Sequence, residues 1–230
     1  NQSLNKLISG NIAAYNQQKE FADNASHELQ TPLAIIQSKL EILMQSQSLT
    51  TEQYNIIEEA LASLARVGRI NKNLLLLTRI DNSQFMEKET IDISKLLKKS
   101  ARSFNSFAED KQIDLRSHII DNVTVHGNKI LVEILVNNLI TNAIRHSNPG
   151  SSILISLSAD KLSISNTGEE PLKSEHLFKR FSTASSQNPG TGLGLALVKQ
   201  ICTRYNWNIN YSFEKRQHMF SIVFSSGIVK

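Results

Sequence analysis

The sequence predicts two domains: an all-α helical hairpin that forms a dimeric four-helix bundle, then an α+β sandwich whose mixed sheet is covered by helices on one face. Three observations carry this. From Leu4 to about Ile80, apolar residues recur at helical spacing, with one glycine before Gly68 and Pro32 the single proline. After "RIDNSQFMEKET" the period changes to strand-like alternation. Strands and helices then mix without regular β-α-β alternation, which favours a one-sided layer over a doubly wound parallel sheet. The division falls between residues 84 and 85, giving domains 1–84 and 85–230.

The composition bounds the function. With 40% hydrophobic and 20% charged residues, the chain is an ordinary globular protein able to bury a core. Its net charge of +4 is mild, and "KLLKKSAR" reads as a solvated helix face, so no nucleic-acid partner is expected. The one cysteine, Cys202, excludes a disulfide framework and a multi-cysteine zinc site. No stretch approaches the roughly 18 apolar residues of a membrane span, and "NQSLNKLISG" lacks a signal-peptide pattern. The chain reads as soluble as given, and as a fragment cut from a longer protein.

Element by element, Leu4, Leu7, Phe21, Leu29, Leu33, Ile36 and Leu40 share one stripe of the first helix. "QSQSLTTEQ" interrupts it, and either Thr50 or Thr51 caps the second helix. A hairpin of two long arms buries little alone, so two copies pair into a bundle. "TIDIS", "IDLRSHI" and "VTVHG" read as strands around a helix from Ser94 to about Asp110. A helix from about Asn128 to His146 follows, then two strands meeting at Ala159-Asp160. A glycine-rich loop, a helix from about Gly192 and two closing strands complete the chain.

His27 lies opposite the apolar stripe, with Thr31 one turn on and Glu28 beside it in "SHELQTPL". Pro32 has no N–H for the carbonyl of Glu28, so the helix should bend in the turn that carries the histidine. An imidazole that attacks needs one nitrogen free and the other held by an acceptor, for which Glu28 is placed. These residues resemble the H-box of sensor histidine kinases. The resemblance implies that His27 is the phosphoacceptor, that Glu28 assists phosphotransfer, and that Thr31 positions water for dephosphorylation of the partner. Gln30 stands where a basic residue is usual.

In "LVEILVNNLITNAIRHS" an apolar line through Leu131, Ile134 and Leu135 continues as Asn138, Asn142 and Arg145. Amide oxygens suit Mg²⁺, and a guanidinium takes phosphate oxygens in a fork. "NPGTGLGLALVKQI" places Gly190, Gly192 and Gly194 before a helix whose free N–H groups favour phosphate. With Leu195 in place of its last glycine, it fails as a dinucleotide fingerprint.

In order and spacing the set resembles the ATP-binding domain of the same kinases, shared with gyrase-type and Hsp90-type ATPases. "NNLITNAIRHS" looks like the N-box, "ISNTGEEP" the G1 box, "LFKRF" the F-box and "GTGLGLAL" the G2 box. The resemblance implies nucleotide contacts from Asn138, Asn142, Arg145, His146, Asn166, Gly168, Phe178, Gly190, Thr191, Gly192, Leu193 and Gly194. Asn142 would be the main Mg²⁺ ligand, with ATP as substrate and a bacterial membrane anchor upstream. Asn166 replaces the family's adenine-reading aspartate, Glu170 a common glycine, and Ser182-Thr183 an aromatic-basic pair.

The function expected is Mg-ATP-dependent autophosphorylation of His27, then transfer to an aspartate of a response-regulator receiver domain, with possible phosphatase activity. A dimeric, catalytically weak scaffold or phosphatase using nucleotide as a conformational ligand is the alternative, favoured by Asn166 and the missing lid arginine. A stand-alone ATPase has no use for the histidine hairpin.

Overall fold

Thr50 settles where the second helix begins. Its Oγ1 accepts from the Gln53 N–H at 3.2 Å while the Gln53 Oε1 accepts from the Thr50 N–H at 2.9 Å, a reciprocal capping box. In the computed structural model, residues 10, 17, 24, 28–46, 48–81, 85, 89–182 and 190–224 are described. The chain divides into units 1–82 and 83–230.

The first unit contains α1, described over 28–44 and helical through Pro32, and α2, Thr51–Asp81. Both expose large aliphatic side chains, among them Leu29, Ile35, Ile42, Ile56 and Val67. No helix among the described residues is long and apolar enough to cross a membrane.

The second unit contains β1 (Glu89–Asp92), α3 (Ile93–Asp110), β2 (Asp114–Ile119), β3 (Thr124–Gly127), α4 (Lys129–Arg145), β4 (Ser152–Leu157) and β5 (Lys161–Thr167). A 3₁₀ turn at Ser174–His176 precedes α5 (Gly194–Arg204), β6 (Asn208–Glu214) and β7 (Gln217–Val223). The strands form a five-stranded sheet, ordered β2-β4-β5-β7-β6, and a separate two-stranded β1-β3 sheet. Within the larger sheet only β2 and β4 are parallel.

The register decides which face meets the helices. Ile119, Leu157, Leu162, Ile222 and Ile209 line up across the strands, and Ser117, Ile155, Ile164, Phe220 and Tyr211 form the next row. The third row is Leu115, Ile153, Asn166, His218 and Phe213, so two polar side chains interrupt an otherwise largely apolar face at one end. On the opposite face Lys161, Thr167, Asn208 and Asn210 are exposed, while Ser165 and Ser221 are buried.

Over the apolar rows lies α4, in which Leu131, Val132, Leu135, Val136, Leu139, Ile140, Ala143 and Ile144 are all buried. That pattern needs a helix covered on most of its circumference, by the sheet and by α3 and α5. Asp92 caps α3 through the Lys95 N–H, which first of its interactions holds its carboxyl below the ordinary carboxylate value. Cys202 is fully buried in α5, and burial pushes its thiol up to about 12.

The start of α4 is held twice, since Asn128 Oδ1 accepts from Ile130 and Leu131 while its own N–H donates to the Tyr205 hydroxyl at 2.9 Å. Asn128→Ala keeps the second bond and loses the cap. It should lower stability by about 1 kcal/mol in urea denaturation, against about 2 to 5 kcal/mol for Leu135→Ala.

Candidate functional site

Because α4 buries its apolar faces, its remaining half-buried line brings Asn138, Asn142 and Arg145 to successive turns along one side. Asn138 is oriented by its own helix: Nδ2 donates to the Ile134 carbonyl at 2.8 Å, which turns Oδ1 toward the first residue of α5. A Cβ built on Gly194 would stand 2.8 Å from that oxygen, so only glycine leaves room for the amide there. Further along, a Cβ on Gly190 would be 2.7 Å from Arg145 Nη1. The amide and the guanidinium thus each meet a glycine of the loop leading into α5. Asn142 lies between them in the helix, and its carbonyl accepts from the His146 N–H at 3.1 Å.

The loop is shaped by backbone crowding. Gly192 has φ +68°, and a Cβ there would fall 2.6 Å from the Phe181 carbonyl carbon. Phe181 itself has φ +62°, a strained value for an aromatic residue. Thr191 Oγ1 accepts from the Leu193 N–H at 3.4 Å, and Leu193 is fully buried. No side chain caps the start of α5, so its first N–H groups remain directed at the loop. Phe178 packs edge-on against Phe220, with centroids 6.5 Å apart.

At the polar end of the sheet face, Asn166 is 3% exposed and donates from Nδ2 to the Thr167 carbonyl at 3.1 Å. A carbonyl can only accept, so this bond fixes which end of the amide is which. Beside Asn166 lies a residue that the sequence reading missed. His218, 8% exposed, is its direct partner in β7, and a Cβ on Gly168 would land inside the imidazole. His218 Nδ1 is 2.8 Å from the Tyr211 hydroxyl, which accepts from the Leu172 N–H at 2.9 Å. In the sequence "QHMFSIV" this histidine is one polar residue in an alternating strand, and only the register turns it inward.

Burial pushes the His218 imidazole below its ordinary value. His146 is also lowered, by burial first and then by Arg145, His218 and Lys111. The His146 side chain is nonetheless exposed at the end of α4. Of the proposed histidine-centred residues, Glu28 and Thr31 are exposed on α1 and share a face. His27 lies outside the described residues.

Comparison with known proteins finds two families. Residues 17–83 match the His Kinase A (phospho-acceptor) domain. Residues 127–226 match the histidine kinase-, DNA gyrase B- and HSP90-like ATPase. The sensor histidine kinase HprS of Escherichia coli is 27% identical over 96% of this chain and 50% of its own length. The heme sensor protein HssS of Staphylococcus saprophyticus is 31% identical over 86% of this chain and 44% of its own. The chain therefore spans about half the length of these relatives. Among solved structures, the histidine kinase AdeS of Acinetobacter baumannii aligns at 25% identity with a TM-score of 0.63, over 87% of this chain and 98% of that one. Full-length ShkA, solved with AMPPNP, shares the fold at 21% identity and a TM-score of 0.70, over 88% of this chain and 45% of that one.

The Gly168 and His218 contact is testable by a double-mutant cycle. Gly168→Ala alone should cost about 1 to 3 kcal/mol, and most of that cost should vanish in a His218→Ala background. An additive pair of costs would show that the imidazole does not fill the space. The histidines also set a pH dependence. Their folded pKa values lie below the unfolded value of 6.5, so the unfolded chain binds more protons in acid. Stability is then complete above the unfolded value and falls as pH drops below it. The thermal midpoint should decline between about pH 7 and pH 5, and less steeply in His218→Phe.

Proposed function

Since this chain belongs to the sensor histidine kinases of two-component systems, we propose that it phosphorylates His27 from ATP and passes the phosphoryl group to an aspartate in a response-regulator receiver domain. A nitrogen of neutral His27 attacks the γ-phosphorus in line, the bond to the β–γ bridging oxygen breaks, and ADP leaves. Glu28 takes the proton that the imidazole releases, while its carboxylate orients the ring beforehand. In the second step the receiver aspartate displaces His27 from phosphorus. Thr31 positions the water that later hydrolyses the acyl phosphate, the basis of a phosphatase activity.

The observation that carries this reading is the meeting of α4's polar line with the glycine loop of α5: Asn138 against Gly194, Arg145 against Gly190. Glycines there keep backbone N–H groups close to a triphosphate. Arg145 offsets phosphate charge, His146 flanks the nucleotide, and Phe178 supports the loop's near end. Thr191 and Leu193 set the turn at Gly192. The Asn142 amide is the neutral oxygen donor that suits Mg²⁺, which would supply charge neutralisation at the phosphates when bound. Catalysis then rests on positioning and electrostatics.

The exposed aliphatic side chains of α1 and α2 support a homodimer that pairs the hairpins into four helices. Domains 1–84 and 85–230 would serve as dimerisation and phosphoacceptor domain and as ATP-binding domain. The family likeness supports a cytoplasmic portion of a protein anchored in the bacterial membrane by a region upstream. Nucleic acid has no place in this function. Replacement of the family's aspartate by Asn166 favours a second reading, a catalytically weak scaffold or phosphatase that binds nucleotide only as a conformational ligand.

Incubation with γ-labelled ATP and Mg²⁺ should leave an acid-labile, alkali-stable label on the chain. His27→Gln should abolish it, and Asn142→Ala should lower the labelling rate on the order of a hundredfold. Label that persists on His27→Gln would sink the assignment. Nucleotide affinity that is indifferent to Mg²⁺ and to Asn142→Ala would favour the scaffold.

A further inference from the structure

Arg204, the last residue of α5, donates from Nη2 to the backbone carbonyl of Phe85 at 2.8 Å, in a partly buried contact between residues 119 apart in sequence. Cations are common in the last turn of a helix, where they complement the negative end of its dipole. Ending this helix does not require the Arg204 side chain, because the carbonyls of Ile201, Cys202 and Thr203 are met by the backbone N–H groups of Tyr205, Asn206 and Trp207. The guanidinium reaches instead to the segment that leads from the first unit into the second. A bond from a charged donor to a main-chain carbonyl is among the stronger hydrogen bonds a protein makes.

The corner around Arg204 is held from several sides. Tyr205 lays its ring over Gly127, where a Cβ would come 3.3 Å from it, and its hydroxyl accepts from the Asn128 N–H at 2.9 Å. Gly127 is in turn the register partner of Glu89, the first residue of β1. The buried Trp207 ring lies 5.0 Å from the rings of both Tyr205 and Phe224. One end of α5 is thus bonded to the start of α4 and to the chain before β1, while its first residue, Gly194, makes room for the Asn138 amide.

Where the chain is held sets how far the second unit can range from the first. From Asp81, the last residue of α2, Phe85 is four residues on and Glu89 is eight. Fully extended, these spans reach at most about 14 Å and about 28 Å. Among the described residues, the bond at Phe85 therefore halves the chain between the end of α2 and the first hold in the second unit. The effective concentration of tethered partners falls roughly as the −3/2 power of tether length, so halving the span raises it about threefold. We propose that Arg204 is a positioning residue for phosphoryl transfer, which holds the Phe85 carbonyl and so concentrates the ATP-binding unit at His27; this rests on the phosphotransfer reading above. Arg204 touches no reacting atom in this role and acts through the length of the connection alone.

The test is the initial rate of His27 labelling at saturating γ-labelled ATP, measured on the whole chain beside its ADP affinity. Arg204→Ala should lower the rate about threefold and leave ADP affinity at the parent value. Inserting four Gly and Ser residues between Ser83 and Gln84 doubles the same span with Arg204 intact and should give the same fall; it carries the test if Arg204→Ala does not fold. Together the two changes triple the span, so the rate should drop about fivefold, short of the roughly ninefold expected of two independent injuries. A parent-like rate in either variant overturns the role of Arg204, as does a ninefold loss in the pair or a loss of ADP affinity that matches the loss of rate. A parent that takes no label on His27 overturns the phosphotransfer reading, and this role with it.

Discussion

The C-terminal unit depends on one constraint: α4 must be buried on most of its circumference and still deliver polar side chains to a single line. Eight apolar residues meet the first demand, and the four-residue recurrence of Asn138 and Asn142 meets the second. The two demands are compatible only if the neighbours of that line are small. Gly194 thus leaves room for the Asn138 amide, while Gly190 lies beside the movable Arg145 guanidinium. The same helix secures its own beginning, through Asn128 and the Tyr205 hydroxyl, so that the line is presented at a fixed height.

A second consequence follows in the sheet. Its helix-facing rows bury only apolar and aromatic side chains until the row of Asn166 and His218, where the protein accepts two buried polar groups. Such groups are stable because Thr167 and Tyr211 satisfy one end of each. Tyr211 also holds the Leu172 N–H, so the turn after β5 is fastened to the β6-β7 hairpin through the same hydroxyl.

Much of this was legible from sequence because the signals are local. The change from helical to strand-like period near residue 85, the run Lys129–Arg145 with Asn128 before it, and the glycine spacing before α5 all act over a few residues. The mixed sheet with helices on one face followed from the absence of β-α-β alternation. What escaped was non-local. No pattern in "IDLRSHI" reveals that β2 pairs in parallel with β4 while β1 and β3 leave to form their own sheet. Thr50 and Thr51 are equal as caps until the side chain of Gln53 is seen to return to Thr50. The helix expected from Gly192 begins at Gly194, because φ +68° at Gly192 keeps it out of the helical region. His218 was hidden for the same reason as β2: its face is a matter of register, and a shift of one residue would have put it in water.

Cys202 gives the chain a practical property. Buried in α5 with its thiol pushed up to about 12, it is both inaccessible and held in its un-ionised form. It is a silent sulfur toward alkylating reagents as long as the fold holds. A single cysteine introduced on the surface of either unit can therefore carry a spin label or fluorophore without first removing the native one, and a pair of them can report the distance between the two units as nucleotide is added.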